Sequence, residues 1–239
     1  VLRKCQPSAR RPKSREADAE FVESALRSLP EWLRERWAGS FGSEALRSLA
    51  LASVSVPSAT LRVIGQGANR AELQRELRGD GIETRLGQYS TQALIVESGN
   101  VHDSTALREG HVAIQDEASQ LVAALLAPKS GERLLDLCAA PGIKTSQLAA
   151  ALGSGFVVAC DLSARRLLTM GELLRGRIPG GVDVNLVRLD AERELPFGRK
   201  FHRILLDAPC SGTGTLARNP EIKWRLQPSD LNRLAPIQT

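Results

Sequence analysis

The chain has no apolar run approaching the roughly 18 to 20 residues that a membrane-crossing helix needs, and its N-terminus lacks the apolar core of a secretory signal. A helical membrane protein is therefore excluded, and a cytoplasmic location is the expectation. Cysteine is scarce: Cys5, Cys138, Cys160 and Cys210 are too scattered for a disulfide framework and lack the paired spacings of a zinc site. Histidine is scarcer. His102, His111 and His202 lie far apart with no partner motif, so each reads as a surface or packing residue and no metal site is expected. Internal repeats and low-complexity tracts are also missing. Neither half forms a dedicated basic module, although the net charge is +5 and the pI near 9.3, a balance that suits a polyanionic partner such as RNA.

What is present is the composition of an ordinary globular protein, with 239 residues of which 42% are hydrophobic and 25% charged, enough for one large domain and a small one. Residues 1 to about 19 read as a flexible lead-in containing Pro7 and Pro12. Within it Arg3, Lys4, Arg10, Arg11, Lys13 and Arg15 form the one dense basic cluster, read as a solvated linker in preference to a phosphate contact. The first residue is Val, which suggests a fragment or a processed chain. Helical spacing of Phe21, Ala25, Leu26 and Leu29, then of Trp32, Leu33 and Trp37, predicts two short helices broken by Pro30. A strand over 61–64, a helix over 69–78 closed by Gly79 and Gly81, and strands over 82–86 and 93–96 make a small α/β unit. From His111 onward a helix over 115–127 opens a regular alternation, with strands at 133–138, 156–161, 184–190 and 203–207 and helices after Lys144 and Ser163. Such alternation implies a parallel sheet.

The chemistry sits at the carboxyl ends of those strands. Asp136-Leu-Cys-Ala-Ala-Pro-Gly-Ile-Lys144 runs from a strand into a helix, where small residues let the backbone approach a ligand and the helix offers free N–H groups. The next strand ends at Asp161, nineteen residues after Gly142, a spacing suited to an acid that accepts hydrogen bonds from ribose hydroxyls. A dinucleotide would need a Gly-x-Gly-x-x-Gly turn. One Gly and a Pro suit S-adenosylmethionine better. Asp190 ends the third strand, where it could accept the adenine amino proton or cap a surface helix. Asp207-Ala-Pro-Cys-Ser-Gly-Thr-Gly214 ends the fourth, placing Asp207 towards the cofactor and presenting the Cys210 thiol to a substrate base.

A thiol there suits carbon-5 methylation of a pyrimidine, in which a thiolate adds to carbon 6 and a base later removes the carbon-5 proton. Cys210 could be that nucleophile or a helper in elimination; the alternative is a buried structural thiol. Cys138 and Cys160 read as packing residues without a reactive role. In Ile222-Lys-Trp-Arg225 the cations Lys223 and Arg225 are expected to touch RNA, while Trp224 is expected to pack the loop onto its domain.

The Asp136 to Lys144 loop and the stretch from Asp207 to Arg225 resemble the Sun (RsmB-like) family of bacterial ribosomal RNA cytosine carbon-5 methyltransferases. The small unit and the Gln115-Asp-Glu-Ala-Ser-Gln120 helix start are similar to that family's N-terminal RNA-recognition part. The resemblance implies that Cys138, Ala139, Ala140, Pro141, Gly142, Ile143 and Lys144 wrap S-adenosylmethionine, that Asp161 holds its ribose and Asp190 its adenine, and that Asp207 lies near its methionine part. Ile143 departs from the family's second Gly. The resemblance also implies an upstream NusB-like domain and a covalent nucleophile in a motif beyond Thr239, so that the chain as given would be inactive and Cys210 would assist release of the methylated base. The expected fold is α/β, a Rossmann-like S-adenosylmethionine-dependent methyltransferase sheet, C-terminally incomplete, over residues 111–239, with a small α/β RNA-recognition unit over 21–110 and a basic linker over 1–20. Ribosomal RNA is the expected partner. A cofactor- and RNA-binding fragment without catalysis and a transfer RNA enzyme are the alternatives.

Overall fold

Strand and helix alternate through the middle of the chain because short β-branched and leucine runs are separated by amphipathic segments with N-cap residues at their starts. The computed structural model describes residues 15–65 and 69–238; Cys5 and the basic cluster from Arg3 to Lys13 lie outside them. The lead-in is shorter than expected, since helix α1 already begins at Arg15 (Arg15–Arg27). Helix α2 (Glu31–Val54) follows Pro30 and is interrupted at Gly42, whose φ of 84° and ψ of 167° lie in a region open to glycine alone.

The small sheet contains β1 (Thr60–Val63), β2 (Glu83–Leu86), β3 (Ala93–Ser98) and β4 (Val112–Ile114) in the order β2-β3-β1-β4, all antiparallel. Helix α3 (Arg70–Gly79) is capped by the Asn69 side chain, which accepts from Ala71 N–H at 2.9 Å. Helix α4 (Thr105–Arg108) is capped by Ser104. Leu61, Val63, Leu73, Leu77, Ile82 and Leu94 form the core of this layer. No strand was expected over residues 112–114, which fall beyond the expected boundary at 110. Strand β4 pairs with β1 because Val112 fills the same core.

After helix α5 (Glu117–Leu126), the second sheet contains β5 (Arg133–Asp136), β6 (Gly155–Asp161), β7 (Val182–Arg188) and β8 (Arg203–Leu205), parallel and ordered β7-β6-β5-β8. Helices α6 (Ile143–Leu152) and α7 (Ala164–Leu174) make the crossovers. The chain leaves β5 in one direction towards β6 and returns to its other side as β8, so a topological switch point lies between β5 and β8.

Buried glutamines join the two sheets. Gln115 Nε2 donates to Gln147 Oε1 at 3.0 Å, Gln147 Nε2 to the Gln120 carbonyl at 2.7 Å, and Gln120 Nε2 to the Gln115 carbonyl at 3.0 Å. With every amide partnered, such a chain fixes register between layers.

The remaining helices, α8 (Ile222–Arg225) and α9 (Pro228–Leu234), belong elsewhere. Contacts divide the chain into Ser58–Pro209, holding both sheets, and a second unit made of Val1–Pro57 with Cys210–Thr239. In that unit Ala25, Leu29, Leu33 and Ala50 share a core with Leu216 and Ile222. Contacts thus divide the chain elsewhere than at residue 110, with α1 and α2 sharing a core with the segment after Pro209. Among the described residues no helix is long and apolar enough to cross a membrane.

Candidate cofactor site and catalytic residues

The loop after β5 is built from small residues that protein packing itself requires. Ala139 and Ala140 are buried, and Ala139 N–H donates to the Cys160 carbonyl at 2.8 Å. The Ala140–Pro141 peptide is cis. Gly142 caps α6 with a φ of 99°, and a Cβ there would sit 2.8 Å from Met170 Cγ. Glycine is therefore demanded by the turn and by the neighbouring helix, before any ligand is considered. Ile143 and Lys144 open α6, so the helix N-terminus faces the strand ends.

Around this loop the acids stand at successive strand ends, and each is already partly engaged. Asp161, 4% exposed, accepts from Ser163 N–H at 2.9 Å and Ala140 N–H at 3.3 Å, and pairs with Arg166 at 3.2 Å. Arg166 in turn donates to the Ala140 carbonyl. A carboxylate offers about four lone-pair directions, so Asp161 retains acceptor capacity for a ribose hydroxyl while bracing the loop. Asp190 accepts from Glu192 N–H at 3.1 Å and Arg193 Nε at 3.1 Å, with one oxygen on each partner, so it caps a turn and not a helix. Asp207, half-exposed, receives Lys144 Nζ at 2.6 Å, which ties the β5 loop to the end of β8 across the switch point.

Asp136 and Arg166 carry roles that sequence reasoning did not assign. Asp136 is 1% exposed; its Oδ2 accepts from Thr145 Oγ1 at 2.7 Å and its Oδ1 has no hydrogen-bond partner. Burial, with a smaller push from Asp207, raises its pKa to about 6. The available signal was an acid closing an apolar strand immediately before the small-residue loop. Cys138 and Cys160 fit their assignment as unreactive. Burial raises both thiols, Cys160 to about 11.

In the second unit Cys210 is exposed, which rules out the buried structural thiol. Two expectations there are corrected. Lys223, expected to contact RNA, is 6% exposed and donates to Ser28 Oγ at 3.0 Å, because the apolar neighbours Ile222 and Leu226 draw that helix face into the core and carry its stem with them. Trp224, expected to pack, is 74% exposed. Arg225 is exposed as expected. Two of the three histidines are partnered: His202 Nδ1 accepts from Arg133 N–H at 2.8 Å, and His111 lies between Glu76 at 3.3 Å and Glu109 at 3.6 Å. Glu76, Glu109 and His111 lie close enough together to surround a cation, with opposite ring nitrogens facing the two carboxylates.

A parallel sheet with its switch point beside a small-residue loop, acids at each following strand end, and no Gly-rich pyrophosphate turn defines an S-adenosylmethionine-dependent methyltransferase fold. The 16S rRNA methyltransferase RsmB/F family profile matches residues 123–239, and that of the RsmF/B-like ferredoxin-like domain matches residues 29–102. The chain belongs to this family. A probable ribosomal RNA small subunit methyltransferase B of Bacillus subtilis is 38% identical over 214 residues, 88% of this chain and 47% of that protein. The crystal structure of PH0851 superposes with a TM-score of 0.81 at 30% identity, covering 95% of this chain and 51% of that one. A methyltransferase homolog from Pyrococcus horikoshii superposes with a TM-score of 0.71 at 27% identity, covering 83% and 66%. The chain spans about half the length of the curated relatives it matches.

Proposed function

We propose that this chain is part of an enzyme that methylates carbon 5 of a cytosine in small-subunit ribosomal RNA through a covalent cysteine mechanism. The observation that carries the reading is an exposed Cys210 three residues beyond Asp207, whose strand end adjoins the cofactor loop. S-adenosylmethionine supplies the methyl group. The chain's own residues hold it: Cys138 to Lys144 form the cradle, Asp161 takes the ribose, Asp190 the adenine, and Asp207, held by Lys144, the methionine end. A thiolate adds to carbon 6 of the base, carbon 5 takes the methyl group, a base removes the carbon-5 proton, and the carbon–sulfur bond then breaks to release the thiolate. Cys210 assists that last step, and the attacking thiolate belongs to another cysteine.

The test is Cys210→Ala in the complete enzyme, assayed with radiolabelled methyl donor and unmodified ribosomal RNA. Methylated RNA should stay attached to protein as a denaturant-resistant adduct. Normal turnover without adduct would reduce Cys210 to a bystander, and lost turnover without adduct would make Cys210 itself the nucleophile.

A further inference from the structure

A buried arginine without a counter-charge stands where the small sheet meets helix α6. Arg62 on β1 is 2% exposed; its Nε donates to Gln115 Oε1 at 2.6 Å and its Nη2 to Ser146 Oγ at 3.1 Å. Both acceptors are neutral, and no described carboxylate pairs with it. Withdrawing a guanidinium from water without an anion is costly. Beside it opens a cavity of about 50 Å³ bounded also by Gly142, Ile143, Ser146 and Arg177. Arg177 is exposed, and its side chain has no hydrogen bond or ion pair among the described residues. Its charge adds to burial in lowering the Arg62 pKa to about 10. Two like charges thus converge on one small space, next to the first turn of α6, which has no side-chain cap. None of Asp161, Asp190 and Asp207 lines this cavity.

We propose that Arg62 and Arg177 form an oxyanion site that takes a phosphate group, supplied by a phosphodiester of bound RNA. Arg62 and Arg177 are the two charged side chains among the cavity's lining residues. Arg62 is preorganised by Gln115 and Ser146, while Arg177 gives the site an exposed rim that a nucleic-acid backbone can reach. Assignment to RNA rests on the reading under Proposed function; the oxyanion site itself does not, since free phosphate has the same chemistry.

The experiment compares the 239-residue chain with Arg177→Ala and with Arg75→Ala, an exposed arginine on α3 that serves as the charge control. Thermal unfolding is followed in inorganic phosphate and in chloride at equal ionic strength. Phosphate should raise the Tm of the unaltered chain and of R75A, and leave R177A unmoved. Anisotropy with single-stranded RNA across a salt series should then show R177A about tenfold weaker, with a salt slope smaller by about 0.7, and R75A unchanged. A phosphate response lost in R177A with RNA binding intact supports the site with free phosphate as its ligand. The same response in a chain that binds no RNA keeps the site and removes the RNA reading. No phosphate response in the unaltered chain, or an equal one in R177A, overturns the proposal.

Discussion

The Asp161 carboxylate accepts from Ala140 N–H and pairs with Arg166, and the proposed ribose contact would use its remaining acceptor capacity. Asp161→Ala should therefore weaken S-adenosylmethionine binding by about 1.5 to 3 kcal/mol, the range for a hydrogen bond to a charged group. Calorimetric titration checks this, and unchanged affinity in a folded variant would remove Asp161 from the site. Asp136 acts oppositely, as a carboxyl that folding prefers neutral. With its folded pKa raised from 3.8 to about 6, the native chain binds more protons than the unfolded one between those values. Stability from this group is full below about pH 4 and is lost as pH rises through about 6, a change on the order of 3 kcal/mol. Asp136→Asn should flatten the urea-unfolding profile between pH 4 and 7 and be no less stable than the natural chain at pH 7. A profile as steep as before would place the titration elsewhere.

At the scale of elements, β8 is the exposed one. It pairs on one side only among the described residues, with β5, and Ile204 and Leu206 are 52% and 51% exposed. An apolar edge of this kind templates pairing with other strands. Ile204→Lys should lower light scattering of concentrated protein while changing the unfolding free energy by no more than about 0.5 kcal/mol, as expected for an exposed position. Undiminished scattering would show that association uses another surface. The elements also show what pattern reading reaches. The strands at 133–138 and 203–207 were expected from apolar runs and exist, but they end at Asp136 and Leu205. Beyond those points the chain leaves the strands for loops, although Leu137 stays buried and its N–H donates to the Leu205 carbonyl at 3.0 Å. Hydrophobic pattern does not encode where a ladder stops. Strand β4 was missed because three residues are too few to show a period.

Across the whole molecule, the segments that chemistry groups together are those that lie far apart in the chain. Sequence alone determined the parallel α/β class, the small-residue loop from Cys138 to Lys144 and the acids at its flanking strand ends. Each is local: a period of two or 3.6, a breaker, a residue type at a fixed distance from a turn. The tertiary structure decided the rest. It placed Lys223 against Ser28, joined α1 and α2 to the segment after Pro209, and brought Arg62 and Arg177 to one cavity. Lys223 and Trp224 exchanged their expected environments because a four-residue helix presents one face to a core whose other wall comes from nearly two hundred residues earlier in the chain. Burial depends on which surfaces meet, and that is settled by competition among all apolar faces at once, a quantity no local window contains.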